Sequence, residues 1–290
     1  MKTQVLLQKI KKEFPEISWK SVKRPKDNWD YDVLLLGDKY VFRFLKVKNK
    51  EEIEGFAKEI KLLDYLKNKV NISIPNYIFR SKDGSFGGYE MIKGYELTPE
   101  EFGKIQARDR KKLSLQLAQF LNILHKTPKK YFSKETAAGD GGGLEKLHLR
   151  MKKTVYKKIS EKEAKDIDAF FDDFKKMKKR SKKRVLVHGD LTNGNMLYKN
   201  GRISGIIDFA DFRLDSPAID FNGLWDFGEE FVKMAIKDYG EKNDKLLLKH
   251  SKSYYRIIAL YILDGAVNYK HSPINFRDGH KRFKEIFYID

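Results

Sequence analysis

The chain has 290 residues, no cysteine, 60 Lys plus Arg against 41 Asp plus Glu, and a formal charge of +19. That length holds one large domain or two lobes, each with a core of its own. Without cysteine there is no disulfide framework, which suits a reducing cytoplasm. The longest apolar run, Ile257 to Leu263 (IIALYIL), is far short of the ~20 residues that cross a bilayer, so a soluble protein without a membrane partner is expected. The positive excess invites a nucleic-acid or anionic-surface partner, but it is mostly Lys and spread along the whole chain. Its densest block, KKMKKRSKKR at 175–184, follows Ile167, Phe170, Phe171, Phe174 and Met177 at helical spacing. The block therefore reads first as the polar end of an amphipathic helix, with cations at the negative dipole terminus, and second as an anion-binding patch.

The opening MKTQVLLQKIKKEF spaces its apolar residues as a first amphipathic helix would. From Val33 to Leu45, VLLLGDKYVFRFL gives two β-rich runs around Gly37-Asp38-Lys39, a hairpin signal. Glu51 to Leu66 carries Ile53, Phe56, Ile60, Leu63 and Leu66 at steps of three and four, one helical stripe. Further strands are expected at Tyr77 to Phe79 and Tyr89 to Ile92, with Lys82-Asp83-Gly84 and Gly87-Gly88 as turns. After Gly94 the character becomes helical, with Lys111 to His125 and the Lys-rich 144–182. The glycines of AAGDGGGLEKL, 137–147, have no strand before them and read as a loop between helices rather than a phosphate cradle. Strands are expected again at Arg184 to His188, Met196 to Tyr198 and Ile203 to Phe209, and helix from about Asp220 onward.

The chemistry concentrates in VLVHGDLTNGNMLYKNGRISGIIDFAD, residues 185–211. An apolar strand enters His188-Gly189-Asp190, and Asn195 precedes a second strand. Asn200-Gly201 turns the chain into a third, ending in Asp208. The last two should pair antiparallel, which directs Asp190, Asn195 and Asp208 toward one end. Phosphoryl transfer needs such groups: a carboxylate to orient a hydroxyl and accept its proton, and oxygen ligands to hold Mg²⁺ against nucleotide phosphates. An isolated His-Gly-Asp could be a mere turn. The pattern His-x-Asp-x-x-x-x-Asn with an Asp thirteen residues on is far more specific.

In these residues the chain resembles the aminoglycoside phosphotransferases and related small-molecule kinases, which share the eukaryotic protein-kinase fold. HGDLTNGN looks like the family's catalytic loop and GIIDFAD like its metal-binding segment. The resemblance implies Asp190 as catalytic base, Asn195 and Asp208 as Mg²⁺ ligands, His188 as a loop-bracing residue, and Asp220 in SPAIDF as the aspartate that braces the loop from below. The literal Asp226-Phe227-Gly228 is then not the metal triplet. DNWDYDVLLLGDKYVFRF resembles the phosphate-covering hairpin, with Arg43 as the cation over the α/β-phosphates and Glu59 as its helix partner. Lys46 is the competing cation. No GxGxxG is present, and Asn28 stands where a glycine is often found; asparagine tolerates positive φ. YEMIKG, 89–94, resembles the interlobe hinge, with main-chain groups of Glu90 and Ile92 on the purine and Tyr89 influencing the choice between ATP and GTP.

The fold implied is α+β and bilobal: an N-terminal antiparallel-sheet lobe, 1–93, and a larger, mainly helical lobe, 94–290. The activity implied is transfer of the γ-phosphate of ATP or GTP to a hydroxyl of a small molecule, an aminoglycoside first, with antibiotic resistance as the outcome. Asp226, Glu229 and Glu230 fall at i, i+3 and i+4, which on a helix would make one acidic face. The 2″ branch of the family has an acidic helix there, and Asp264 and Asp278 are further candidate contacts for a cationic aminosugar. The alternatives are a solvated acidic face paired with lysines, and a macrolide or small metabolite as substrate. A basic nucleic-acid-binding protein leaves the Asp190, Asn195, Asp208 spacing unexplained. A monomer is expected.

Overall fold

The computed structural model describes residues 2–25, 31–128, 143–181, 183–242, 244–270 and 272–289. Asn28 and most of the glycine-rich 137–147 stretch lie outside them. The chain divides into two compact units, Met1–Ile123 with Asn193–Phe212, and Leu124–Thr192 with Arg213–Asp290. This division by packing differs from one at residue 94, because the short strands after the first sheet return to the same unit.

The first unit begins with α1 (Thr3–Glu13), whose Leu6 and Ile10 are buried. Its sheet contains β1 (Val22–Lys23), β2 (Tyr31–Leu36), β3 (Tyr40–Leu45), β4 (Tyr77–Arg80) and β5 (Phe86–Glu90). The order is β1-β2-β3-β5-β4, antiparallel throughout. The β2–β3 turn uses Gly37 at φ 58°, a left-handed position that glycine adopts without strain. Strand alternation places Phe42 and Phe44 in one core with Leu6, Ile10, Leu34 and Phe86, and so turns Arg43 to the opposite face. Helix α2 (Lys50–Leu66) starts on an Asn49 cap that accepts from the Glu52 amide, and buries Phe56, Glu59, Leu62, Leu63 and Leu66.

Gly87 and Gly88, expected as a turn, lie instead inside β5, opposite Arg43 and Phe42. The reason is steric. A Cβ on Gly88 would meet the Phe42 ring at 2.6 Å, and one on Gly87 would meet the Tyr77 ring at 2.8 Å. Glycine here makes room for aromatics on neighbouring strands, and β5 ends at Glu90 rather than Ile92.

The same unit continues through β6 (Tyr95–Glu96), α3 (Pro99–Lys104) and most of α4 (Ala107–His125). Strands β8 (Met196–Lys199) and β9 (Arg202–Ile206) form with β6 an antiparallel sheet of order β6-β8-β9. Asn200 (φ 52°) and Gly201 (φ 78°) make the expected turn. Gln116 of α4 accepts from the Ile203 amide at 3.1 Å, and Phe120 packs edge-on against Phe209, centroids 6.3 Å apart.

The second unit is mainly helical. It holds α5 (Gly143–Thr154), α6 (Glu161–Arg180), α7 (Glu229–Tyr239), α8 (Asp244–Asn268) and α9 (Phe276–Phe287), with β7 (Val185–Val187) antiparallel to β10 (Arg213–Asp215). Ser160 and Glu163 form a capping box on α6, which satisfies two orphan amides reciprocally. Ile167, Phe171 and Phe174 are buried, and Lys178, Lys179 and Arg180 fill the helix's last turn. The basic block is therefore the expected polar helix end.

Gly88→Ala should destabilise the chain by about 1–3 kcal/mol through overpacking against a fully buried ring. Thermal unfolding of the purified chain would show this as a lowered midpoint, and Gly55→Ala, where a Cβ meets nothing within 4 Å, serves as the comparison.

Candidate active site

In the first unit the sheet delivers Arg43 into a buried ion cluster. Arg43 is 4% exposed and Glu59 1%. Nη1 of Arg43 donates to Glu59 Oε1 at 2.6 Å and to the Tyr77 hydroxyl at 2.9 Å, and Nη2 donates to Asp208 Oδ1 at 2.7 Å. The Tyr31 ring lies 3.9 Å from the guanidinium carbon, a cation–π distance. Burial alone would lower the arginine's pKa, but Glu59, Tyr77 and Asp208 outweigh it and hold it well above its ordinary value. Burial pushes the Glu59 carboxyl up, and Arg43 offsets part of that. Removing either partner would strand a buried charge, at a cost of about 3–5 kcal/mol.

Asp208 follows β9 rather than ending it, in the left-handed region at φ 62°, which aspartate tolerates better than most residues. Phe209, fully buried, anchors the segment beside it. The Ile207 amide donates to the Asn195 carbonyl at 3.0 Å, so Asn195, closing a 3₁₀ turn at Asn193–Asn195, is tied to the Asp208 segment. The Asp208 side chain is 40% exposed. A carboxylate and an amide oxygen are hard donors suited to Mg²⁺, which takes one or two protein ligands and fills its shell with water and phosphate oxygens. Among the described residues no cluster of three His, Cys, Asp or Glu is grouped to hold a metal ion. Lys46, by contrast, is exposed just past β3.

Along the expected hinge, Tyr89 is buried in β5 and Glu90 closes it. The Met91 amide donates to the Lys39 carbonyl at 2.8 Å, and Ile92 packs so closely on Gly205 that a Cβ there would meet it at 2.4 Å. A cavity of about 650 Å³ borders this segment, lined among others by Glu90, Ile92, Ser73, Lys199 and Arg202. It includes none of Arg43, Glu59 or Asp208 and is a separate space.

In the second unit the loop at His188–Asp190 is held from within by Asp220, which has no solvent exposure. Asp220 accepts from the His188 amide at 2.8 Å, the Gly189 amide at 3.0 Å and His125 Nε2 at 3.0 Å. With Nε2 donating, Nδ1 of His125 accepts from the Tyr239 hydroxyl at 2.9 Å. Burial would raise the Asp220 carboxyl, but His125, His188 and the Gly189 amide outweigh it and lower its pKa. His188 is itself fully buried, and its Nδ1 accepts from the Asp190 amide at 3.3 Å. The His188 ring is thus engaged with the main chain of its own loop. Gly223, just beyond Asp220, touches the loop's other side: a Cβ there would lie 2.3 Å from the Leu191 carbonyl oxygen.

The carboxylates expected to face a cationic substrate are placed differently from the sequence expectation. Asp226, Glu229 and Glu230 do not share one helix face. Asp226 belongs to a 3₁₀ turn at Gly223–Phe227, and Gly228 at φ 91° separates it from α7. Asp226 accepts from the Tyr255 hydroxyl and Arg282 Nη2, both at 2.7 Å. Glu229 and Glu230 each pair with Lys233 at 3.1 Å. Asp264 is fully buried, gripped by Arg150 through Nε at 2.9 Å and Nη2 at 2.5 Å and by Asn268 at 2.8 Å. Asp278 exchanges bonds with the Asn275 cap of α9. Sequence reasoning missed Tyr31, Tyr77 and His125 because each meets its partner across a long stretch of chain; nothing local marks them.

Solved structures share this fold. The GDP and kanamycin complex of APH(2″)-IIIa matches at a TM-score of 0.85 and 24% identity, over 98% of both chains. Macrolide 2′-phosphotransferase type I matches at 0.66 and 19%, over 99% of this chain and 96% of that one. At these identities the likeness establishes the fold, the one expected from the sequence. Amicoumacin kinase of Bacillus subtilis (strain 168) is 26% identical over 178 residues, 56% of this chain and 52% of that protein, so the alignment spans about half the length of that relative. A model of the phosphotransferase enzyme family (APH) matches residues 21–249, and the chain belongs to that family.

Proposed function

We propose that the chain is a small-molecule kinase that moves the γ-phosphoryl group of ATP or GTP to a substrate hydroxyl, an aminoglycoside in the first instance. The observation that carries this reading is the cluster in which buried Arg43 joins buried Glu59 to the part-exposed Asp208. A strand cation, a helix carboxylate and the aspartate after β9 are far apart in sequence, yet Arg43 bonds both carboxylates at 2.6 and 2.7 Å. Neither core packing nor nucleic-acid binding calls for that arrangement, whereas phosphoryl transfer does.

In this reading Asp190 orients the acceptor hydroxyl and takes its proton as the new oxygen–phosphorus bond forms and the bond to the bridging β–γ oxygen breaks. His188 and Asp220 keep the loop's main chain in the shape that presents Asp190. Asn195 and Asp208 hold Mg²⁺, which when bound neutralises charge on the phosphates. Arg43, its charge balanced by Glu59, adds a fixed positive group beside Asp208. Position 43 fits the phosphate role better than Lys46 because its charge is buried and oriented. The Glu90–Ile92 main chain receives the purine.

Asp190→Ala should reduce kcat by roughly a hundredfold to ten-thousandfold, while titration calorimetry finds nucleotide affinity within about twofold. Turnover at the wild-type rate would remove Asp190 as base.

Aminoglycosides are favoured by the neighbour solved with kanamycin and by the acidic residues at 226–230. A substrate with far less positive charge, such as a macrolide, is favoured by one observation: Lys233 and Arg282 already partner those carboxylates. Nucleotide consumption across a panel of both classes, with ATP and GTP, decides between them. Glu229→Gln combined with Glu230→Gln should raise KM about tenfold or more for an aminoglycoside, from loss of charge-assisted contacts, and leave KM for a macrolide within about twofold.

A further inference from the structure

The donors of Arg43 are divided between two sides. Nη1 serves the interior, giving one bond to Glu59 Oε1 at 2.6 Å and one to the Tyr77 hydroxyl at 2.9 Å, while Nη2 serves Asp208 at 2.7 Å. The face of the guanidinium plane is covered by the Tyr31 ring, 3.9 Å from its carbon. Both tyrosine hydroxyls also reach Glu59, Tyr31 to Oε2 at 3.4 Å and Tyr77 to Oε1 at 3.5 Å. Tyr31 is 7% exposed and Tyr77 2%. Only Asp208, among these partners, has substantial exposure, at 40%.

We infer that Tyr31 and Tyr77 are positioning residues for Arg43: with Glu59 they fix Nη1 and the ring-facing plane, direct Nη2 toward Asp208 and the donor's phosphates, and make position 43 specific for arginine. This rests on the phosphotransferase reading above. A buried ion pair needs only its two charges and enough hydrogen bonds to satisfy them. The cluster supplies more than that. An aromatic plane selects a flat cation, and a second acceptor on the nitrogen that already holds Glu59 fixes the guanidinium's rotation about its own axis. Lysine matches none of this, having one nitrogen on a flexible stem and no planar face. It could neutralise Glu59, but it could not bond Glu59 and Tyr77 on one side while presenting a second nitrogen on the other.

A purely structural role for the tyrosines makes different predictions from a positioning role. The test uses the full chain with Tyr77→Phe, Arg43→Lys and the double variant. Calorimetric Kd for Mg–ATP and Mg–GTP is measured well below each variant's melting temperature, beside the melting temperature itself. Tyr77→Phe should weaken nucleotide binding about tenfold, the size of one hydrogen bond to a charged group, and Arg43→Lys should do so by at least as much. In the Arg43→Lys background, Tyr77→Phe should change Kd by less than about twofold, because the rotation it fixes no longer exists. Should Tyr77→Phe fail to fold, Tyr31→Leu, which removes the ring face and leaves both Nη1 bonds in place, carries the same comparison. A lowered melting temperature with unchanged Kd, equal losses in both backgrounds, or full affinity in Arg43→Lys would each overturn the inference and leave the phosphotransferase reading standing. A wild-type chain that binds neither nucleotide overturns both.

Discussion

An arginine charge at 4% solvent exposure cannot be neutralised by losing its proton, so its surroundings must be built around it. In the first unit that demand organises several elements at once. β3 must carry Arg43 on the face away from Phe42 and Phe44. Helix α2 must bring Glu59 inward although its other buried residues are apolar. β4 must supply Tyr77, and β5 must thin to Gly87-Gly88 so that the Tyr77 and Phe42 rings fit. The segment after β9 must adopt a left-handed residue so that Asp208 reaches Nη2. A guanidinium suits this role better than an ammonium because its separate nitrogens can serve separate partners. The same buried charge that would be a liability in an apolar core is here held in one orientation by its hydrogen bonds, as the preorganised site proposed above requires.

The second unit solves a matching problem with the opposite sign. Asp220 is a carboxylate without solvent contact, and its stability comes from two loop amides and an imidazole. Each of those donors is spent on shape. The amides of His188 and Gly189 cannot relax without abandoning a buried charge, so the loop preceding Asp190 is held by a penalty rather than by its own contacts. His125 extends the chain of bonds to Tyr239 on α7, joining helix packing to loop geometry. Removing bulk serves the same end: Gly223 lets the turn after Asp220 lie directly against Leu191.

Much of this was legible in the sequence, and the parts that were not share a cause. The 185–211 pattern could be placed because its residues act within a few positions of one another on strand, loop and turn, where local rules apply. Arg43 and Glu59 could be proposed from the resemblance, since each sits on an element whose periodicity is plain. Tyr77, 34 residues from Arg43, could not, because only sheet order and register bring β4 beside α2's inner face. Gly87-Gly88 was read as a turn by composition, although its function is to vacate space for Phe42 and Tyr77; pairing partners decide which of those uses a glycine pair has. Asp226, Glu229 and Glu230 were read as one face by counting, and a single glycine at positive φ broke the count.

That last difference bears on substrate choice. A polycation is attracted by carboxylates whose charge is not already balanced, and a chain of net charge +19 supplies little long-range help. Asp226 is bridged by Arg282 and Tyr255, and Asp264 by Arg150. Glu229 and Glu230 share one lysine between two negative charges, which leaves the start of α7 with a residual negative charge at the helix end where it is most stable. A cationic substrate could strengthen its hold there by displacing Lys233, an exposed ion pair worth little on its own. Displacing Arg150 from Asp264 would instead expose a fully buried carboxylate. For the cationic substrate proposed above, the two α7 glutamates are therefore the acids that could receive it, and the aspartates at 226 and 264 belong first to the scaffold.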